Sequence, residues 1–303
     1  MVPERQNTEH ALKLMKARHQ VWYQAKQLLI SQIILTVALP ILAAFANIAY
    51  PILKPYTSAV AIAVSVADVG ILDRWYRSLL KRAARIAEDF DTYVLDLPWN
   101  KFLVGPKLDS KLIDKEASAF DKRSDDRKLR DWYPQIFSTV PTHIGRLMCQ
   151  RTNLWYDAKL RKMYAYVMLL VVVFLVATLV LIAHRAEMDM GDFVLTFLAP
   201  ISPLLLWTMR EFVRQRDTAA GQDQAREESE DLWKHAAKGE HNCAHAERLA
   251  RELQDSIYSR RSATPLVFPG LYRLMRARLE TQMETGSASL IAEYRAIEDA
   301  VRV

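Results

Sequence analysis

The uncharged apolar residues of this chain gather into four blocks, and this clustering constrains the fold more than any other feature. The whole-chain composition, 51% apolar and 25% charged over 303 residues, would suit a soluble protein because it averages blocks and charged segments together. An α-helix rises about 1.5 Å per residue, so roughly 20 uncharged residues cross a hydrocarbon core about 30 Å thick. The blocks are residues 28–49, 55–72, 164–183 and 193–209. They predict an all-α integral membrane protein with four transmembrane helices, arranged as two hairpins at 28–72 and 164–209.

The second block requires a choice between strand and helix. Its core, residues 59–67, alternates with the period of two that is typical of a strand. A lone strand cannot cross lipid, because its N–H and C=O groups would lack partners there. In a helix, Ala59, Ala63 and Ala67 fall on one side and let a neighbouring helix approach closely. We therefore predict a helix that packs against protein.

Lysine and arginine are distributed asymmetrically around the blocks. Basic residues cluster before the first and third blocks and after the second and fourth, whereas the two short connecting segments contain only Lys54 and Arg185. Basic flanks stay on the cytoplasmic side of a membrane. The pattern predicts a multi-pass protein of an inner or plasma membrane with both termini cytoplasmic. Its cytoplasmic parts would be an N-terminal helix at 1–27, a helical loop at 73–163 and a helical region at 210–303.

The segments outside the blocks have helical periodicity. Apolar residues from Trp75 to Leu97 recur at spacings of three and four, which predicts an amphipathic helix that ends near Pro98. Further along, we expect one helix from Thr142 to His184, a stalk from Arg210 to about Ser262 with weak points at Gly221 and Gly239, and two shorter helices at 270–284 and 287–301.

Polar residues inside the blocks are candidates for function. Asp68 is the one acidic residue well inside a block, and a carboxylate there must be protonated, paired or wet. It lies six residues before Arg74, so it could equally sit in the interface, within reach of water or arginine. Gln32 and Asn47 could help line a polar path, but hydrogen bonds between helices are the favoured interpretation.

Basic and aromatic residues occur together in the predicted cytoplasmic parts. The formal net charge is +6, and the basic excess lies on the N-terminal segment and the central loop. Attraction to lipid headgroups and a site for an anionic ligand both explain this excess. The strings at 130–133 and 151–156 combine arginine with tryptophan and tyrosine, which suit stacking of bases and binding of phosphate. Core packing is the favoured interpretation for each string alone.

Other functional classes find little support. The two cysteines exclude a disulfide-stapled domain, and no nucleophile elbow, Walker A loop, GxGxxG or HExxH motif occurs. We therefore expect no enzymatic activity, no catalytic residue and no cofactor. His241 and His245 would share a helix face, a spacing seen in zinc pairs, but Cys243 would point elsewhere on that helix. An exposed helix surface is the favoured interpretation, and no metal site is expected.

Several short strings, taken in their order along the chain, resemble a known family. They are PERQN at 3–7 with Arg18, YQAK at 23–26, DLPWN at 96–100, DWYP at 131–134, CQRTN at 149–153 with Leu160 and Arg161, and LQDSIY at 253–258 with Arg261, Pro265, Tyr272 and Arg276. Together with two pairs of spans that flank a cytoplasmic loop, these strings resemble the SMODS-associated four-transmembrane family of pore-forming effectors. The resemblance covers almost the whole chain.

The resemblance implies a role in bacterial antiphage defence through cyclic oligonucleotide signalling. A partner nucleotidyltransferase would make the cyclic nucleotide ligand, and the effector would respond by compromising the bacterial inner membrane. A wide path through the bilayer needs several subunits around an axis, so we expect a homo-oligomer in the lipid bilayer and no DNA binding. Five residues in or near the strings have suitable chemistry for ligand contact or coupling: Arg5, Arg151, Trp155, Arg161 and Arg261.

Two other functions stay open at this point. A constitutive ion channel or transporter would place Asp68 on its conduction path, although no recognisable selectivity filter is present. A membrane-anchored helical scaffold would explain why most residues lie outside the blocks.

Overall fold

The computed structural model describes residues 3–38, 42, 50, 52, 54–194, 199–240, 243–264, 266–267 and 269–302. All regular secondary structure within these residues is helical, which confirms the all-helical prediction.

The α-helices of the described residues follow one another with short connections. They are α1 (Glu9–Ile33), α2 (Lys54–Ala67), α3 (Asp73–Leu95), α4 (Lys101–Val104), α5 (Ser110–Asp121), α6 (Thr142–Arg185), α7 (Met190–Phe193), α8 (Ala199–Ala237), α9 (Cys243–Ala263) and α10 (Pro269–Arg302). There are 3-10 turns at Pro3–Asn7, Arg127–Leu129 and Gln135–Thr139, and π-helical turns at Ile34–Ala38 and Asp68–Leu72.

The chain divides into two compact units. The first unit comprises Met1–Ala25, Ser78–Leu160 and Thr218–Val303, and the second comprises Lys26–Arg77 and Arg161–Asp217. The boundaries between them fall within α1, α3, α6 and α8. The predicted cytoplasmic and transmembrane segments have somewhat different bounds, and their placement relative to a bilayer stays a prediction.

Within the described residues, α6 is the one helix both long and apolar enough to cross a bilayer. Leu170, Val171 and Phe174 in its apolar stretch are each more than half exposed. A helix with such an apolar exposed surface is suited to lipid rather than water. The second predicted block is helical, in α2 and the π-helical turn that follows, so the choice of helix over strand is confirmed. The first and fourth predicted spans lie partly outside the described residues, and the number of four spans stays a prediction.

Helix α3 confirms the predicted amphipathic helix and ends at Leu95, one residue before the backbone turns left-handed. Asp96 has φ 55°, and the N–H of Leu97 donates to the carbonyl of Thr92 at 2.9 Å, the hydrogen bond that closes a Schellman motif. The guanidinium of Arg146, on α6, donates to the carbonyls of Leu95 and Asp96 at 2.6 and 2.8 Å. The end of α3 is therefore satisfied both locally and by a neighbouring helix.

The later helices differ in part from expectation. The helix predicted from Thr142 to His184 is confirmed as α6. The predicted stalk is interrupted at Gly239, which has φ 74°, but it continues through Gly221. The two final helices were a wrong prediction, because α10 runs without a break from Pro269 to Arg302. One glycine inside a helix costs only about 1 kcal/mol, so Gly286 does not end it.

The first unit has a densely packed apolar core. Its largest fully buried apolar side chains come from α1, α3, α6 and α8 and include Leu14, Met15, Ile86, Phe90, Leu147 and Trp233. This core fixes the helices that carry the cavity described next.

Candidate ligand-binding site

A cavity of about 240 Å³ lies in the first unit, between the segment that precedes α6, α6 itself and α10. Four cationic side chains line it: Arg127, Lys128, Arg130 and Arg276. Four aromatic side chains also line it: Trp132, Tyr133, Tyr156 and Tyr272. Three carboxylates, Asp131, Glu280 and Glu284, complete its charged groups. Guanidinium groups beside aromatic faces suit a ligand that carries both a planar ring and a negative charge.

The segment that carries Trp132 is held in place by the N-terminal 3-10 turn. The side chain of Gln6 donates to the carbonyl of Tyr133 at 3.0 Å and accepts from its N–H at 2.7 Å. Asn7 accepts from the N–H of Asp131 at 3.1 Å and donates to its carboxylate at 2.7 Å. Asp131 is in the left-handed region with φ 53°, which directs the chain into the cavity wall. Positioning this wall gives the PERQN string a structural role.

The guanidinium groups of Arg130 and Arg276 at the cavity already have carboxylate neighbours. Arg276 pairs with Glu280 one helical turn away and donates to the carbonyl of Lys128 at 3.3 Å. Arg130 donates to Asp126 at 3.3 Å. These pairs are partly exposed and therefore weak, so an incoming phosphate can compete for the guanidinium groups.

Tyr133 and Tyr156, two of the tyrosines at the cavity, are neutral over the physiological pH range. Burial raises the pKa of Tyr156, and its hydrogen bond with Tyr272 raises it further. Burial and the charge of Asp91 raise the pKa of Tyr133 in the same direction. Neutral phenols offer a ring face for stacking and a hydroxyl for hydrogen bonding, without repelling an anion.

Arg18, on α1, contacts the cavity-lining Trp132 but does not itself line the cavity. Its Cζ is 4.4 Å from the ring centroid of Trp132 and 4.5 Å from that of Trp22, and the residue is 1% exposed. Its Nε and Nη2 atoms are buried and have no hydrogen-bond partner within the described part of the chain. Burial, with repulsion from Arg261 as the second cause, lowers the pKa of Arg18 to about 10. The guanidinium stays charged at neutral pH.

Asp91, on α3, connects the cavity wall to α9. It is fully buried and accepts from the hydroxyl of Tyr133 at 2.8 Å, from Arg261 at 2.7 Å and from Gln254 at 3.2 Å. Gln254 also donates to the buried carboxylate of Glu88 at 2.8 Å. A residue of the cavity wall is thus joined by hydrogen bonds to two other helices.

The five predicted contact residues do not line this cavity, and the structure does not group them. Arg5 pairs with Asp96 at 2.6 Å, Arg151 with Glu230 at 2.8 Å and Arg261 with Asp91 at 2.7 Å.

Trp155 is half-buried, one residue before the lining Tyr156. Arg161 lies in the second unit, where it is buried and donates to Gln215 at 2.8 Å. Arg261 reaches the cavity only indirectly, through Asp91 and Tyr133. A role for these residues in ligand contact or coupling stays a prediction.

The structure describes only some of the polar residues in the apolar blocks. Gln32 is half-buried on α1, and Asp68 begins the π-helical turn after α2. Asn47 and His241 lie outside the described residues. The described residues contain no group of three or more histidine, cysteine or acidic side chains arranged to hold a metal ion.

Two strings singled out in the sequence contribute residues to the cavity, although core packing was the favoured interpretation of the first and neither string supplied a predicted contact residue that lines it. The DWYP string supplies Asp131, Trp132 and Tyr133, and the final string supplies Tyr272 and Arg276. No residue pattern indicated that Arg18 is buried, because an arginine on a charged helix normally faces water. Only the packing of α1 against the Trp132 segment reveals it.

The geometry defines a class of protein: a helical chain with an exposed apolar helix and a separate unit whose cavity suits an aromatic anion. The chain belongs to the SMODS-associating 4TM effector domain family, which it matches over residues 1–290. The family domain and the apolar helix together indicate a membrane protein.

The chain is similar to one curated protein, described as a "Probable CBASS effector molecule" of Bacillus cereus (strain VD146). The two are 22% identical over 212 residues, which cover 67% of this chain and 70% of the relative. No solved structure matches the chain.

Proposed function

We propose that this protein is an antiphage effector that permeabilises the bacterial inner membrane when a cyclic oligonucleotide binds its first unit. A partner nucleotidyltransferase supplies the ligand, as the family and the CBASS relative suggest. Both termini lie in the cytoplasm, and the four predicted spans anchor each subunit in the bilayer.

The observation that carries this proposal is the cavity in the first unit. Cyclic oligonucleotides combine planar bases with phosphodiesters, and the cavity combines four aromatic rings with four cations. Stacking of a base on an aromatic side chain contributes about 1–3 kcal/mol, and arginine pairs with phosphate through two parallel hydrogen bonds. The chemistry of the lining therefore matches both parts of such a ligand.

Asp91 couples ligand binding in the cavity to the apolar helices in this proposal. Tyr133 in the cavity wall holds Asp91 on α3, and α3 follows α2 and its π-helical turn directly along the chain. A ligand that moves Tyr133 changes the hydrogen bonding of α3. If the ligand binds the permeabilising arrangement more tightly than the resting one, it shifts the population toward permeabilisation.

Permeabilisation requires more than one subunit. Four helices enclose little space, so a path for ions needs several copies around a common axis. The exposed apolar residues of α6 offer a surface that can face either lipid or a second copy of the chain. We therefore include a homo-oligomer in the proposal.

Leakage from liposomes tests this function. The purified full-length chain is reconstituted into vesicles that contain a self-quenched dye, and cyclic GMP–AMP, cyclic di-AMP, cyclic di-GMP and cyclic tri-AMP are added separately. At least one of them should release dye, and Arg276→Met should need about ten-fold more ligand because a charge-assisted hydrogen bond contributes about 1.5–3 kcal/mol. The exposed Arg278→Met, on the same helix, should behave like the wild type.

Two outcomes would contradict the proposal. Vesicles that stay tight with every ligand would support a scaffold without transport activity. Dye or ion leakage without any ligand would support a constitutive channel, with Asp68 as the first residue to substitute.

A further inference from the structure

We infer that Arg18 is the phosphate-binding group of the cavity, and that Trp132 separates it from the ligand until binding occurs. This inference rests on the proposed function and names the residue that recognises the anionic part of the ligand. Its ligand is a nucleotide phosphodiester, with one nucleotide unit held in the cavity.

The first support is that Arg18 is buried without an ion-pair partner among the described residues. A buried cation is normally paired and fully hydrogen-bonded, because removing it from water is costly. The two indole rings attract the guanidinium through their faces, but they do not accept hydrogen bonds from its N–H groups, and Nε and Nη2 have no partner among the described residues. These N–H groups would be satisfied by an anion that approaches in the plane of the guanidinium.

The second support is the local balance of charge. The charged side chains with the strongest influence on Arg18 are the cation Arg261 and the anion Asp91. Asp91 is already occupied, since it accepts from Arg261, Gln254 and the hydroxyl of Tyr133. Arg18 and the largely buried Arg261 thus lie near the same, already engaged carboxylate, and a phosphodiester would supply further negative charge to Arg18.

The third support is the proximity of a cavity of suitable composition. Trp132 contacts Arg18 and also lines the cavity, and the cavity-lining Tyr133 and Tyr272 are close enough to influence Arg18 electrostatically. A volume of about 240 Å³ lies below the roughly 300–1,000 Å³ of sites for drug-sized molecules. The cavity therefore takes one nucleotide, and the rest of a cyclic oligonucleotide extends outside it.

A nucleotide accounts for the lining better than a lipid headgroup does. Both carry a phosphodiester, but only the nucleotide carries a planar ring for Tyr156 and Tyr272. The carboxylates of Glu280 and Glu284 can also accept from the amino groups of a base, which a glycerophosphoglycerol headgroup lacks.

The test compares Arg18→Met with Arg18→Lys in the full-length chain, purified in lipid-free detergent. Binding of each of the four cyclic nucleotides is measured by calorimetry, and thermal unfolding is followed by tryptophan fluorescence with and without ligand. Arg18→Met should unfold at the same temperature as the wild type or higher, because it removes an unpaired buried charge, and should bind at least ten-fold more weakly. Arg18→Lys should bind with intermediate affinity, and the exposed Arg295→Met should match the wild type.

Several results would overturn the inference. These are unchanged affinity in Arg18→Met, loss of folding in both Arg18 variants, wild-type protein that binds none of the nucleotides, or equal competition by glycerophosphoglycerol.

The outcomes also separate this inference from the proposed function. Arg18-dependent binding without dye release would support the inference about Arg18 and contradict the proposed permeabilisation of the membrane. If Arg18→Met released dye at the same ligand concentration as the wild type, the proposed function would be supported and the inference about Arg18 would be contradicted.

Discussion

Asp91 is fully buried and accepts hydrogen bonds from three side chains, one in the cavity wall and two on α9. The stability that Asp91 gives to the first unit depends on its negative charge, because the cation Arg261 beside it is also largely buried. Arg18 shows the converse arrangement, a buried cation that no carboxylate of the described residues hydrogen-bonds. At the scale of single residues, the buried carboxylate of Asp91 has hydrogen-bond donors around it, whereas two N–H groups of Arg18 have no acceptor among the described residues.

Substituting Asp91 by asparagine should destabilise the first unit strongly. Removing one charge of a buried pair leaves the other uncompensated, which costs about 3–5 kcal/mol. The melting temperature of the purified protein in detergent, followed by tryptophan fluorescence, should fall by several degrees. Asp231→Asn, an exposed position on α8, is the matched control and should leave the melting temperature unchanged. Equal melting temperatures for both variants would show that Asp91 does not hold α3 and α9 together.

At the scale of elements, the helices are set by patterns within the sequence, whereas their contacts are set by packing. The stripe of apolar residues that ends near Leu97 predicted α3, and the uninterrupted segment from Thr142 predicted α6. Gly286 misled the prediction for α10, because glycine weakens a helix only slightly. Gly239 did end a helix, since the chain there adopts a positive φ that glycine tolerates best.

Two glycines inside helices should respond in opposite ways to substitution by alanine. At Gly145, on α6, a Cβ would lie 2.9 Å from the backbone carbonyl oxygen of Phe137, so the 3-10 turn that precedes α6 would have to move. At Gly286, on α10, a Cβ would have no neighbour within 4 Å. Gly145→Ala should destabilise the protein by about 1–3 kcal/mol, and Gly286→Ala should stabilise it by roughly 0.5–1 kcal/mol. Thermal unfolding of the two variants in parallel provides the measurement; a stabilising Gly145→Ala would mean that α6 is packed more loosely there.

At the scale of the whole molecule, function depends on which parts of the chain lie on each side of the membrane. The cavity is useful for sensing a nucleotide made inside the cell only if the first unit is cytoplasmic. The positive flanks of the apolar blocks predict this orientation. The same prediction places the segment between α6 and α7 outside.

The two native cysteines allow the orientation to be measured. Cys149 is buried, whereas Cys243 is exposed in the C-terminal region. A membrane-impermeant maleimide should label Cys243 in inside-out inner-membrane vesicles and leave it unlabelled in spheroplasts. In a Cys243→Ser background, Ala186→Cys, in the exposed segment after α6, should give the opposite result. Labelling of both positions from the same side would be incompatible with a single span between them.

The sequence by itself determined the helical class, the apolar blocks, the family and the aromatic and basic strings from which the cavity is built. These properties follow from local periodicity, from the length needed to cross a bilayer and from the order of short strings along the chain. The tertiary structure alone decided that Trp132, Tyr156 and Tyr272 share one cavity, and that Arg18 is buried against Trp132 without an ion-pair partner in the described part of the chain. Burial and charge balance arise from residues that are far apart in the chain, so no local pattern can encode which arginine is removed from water.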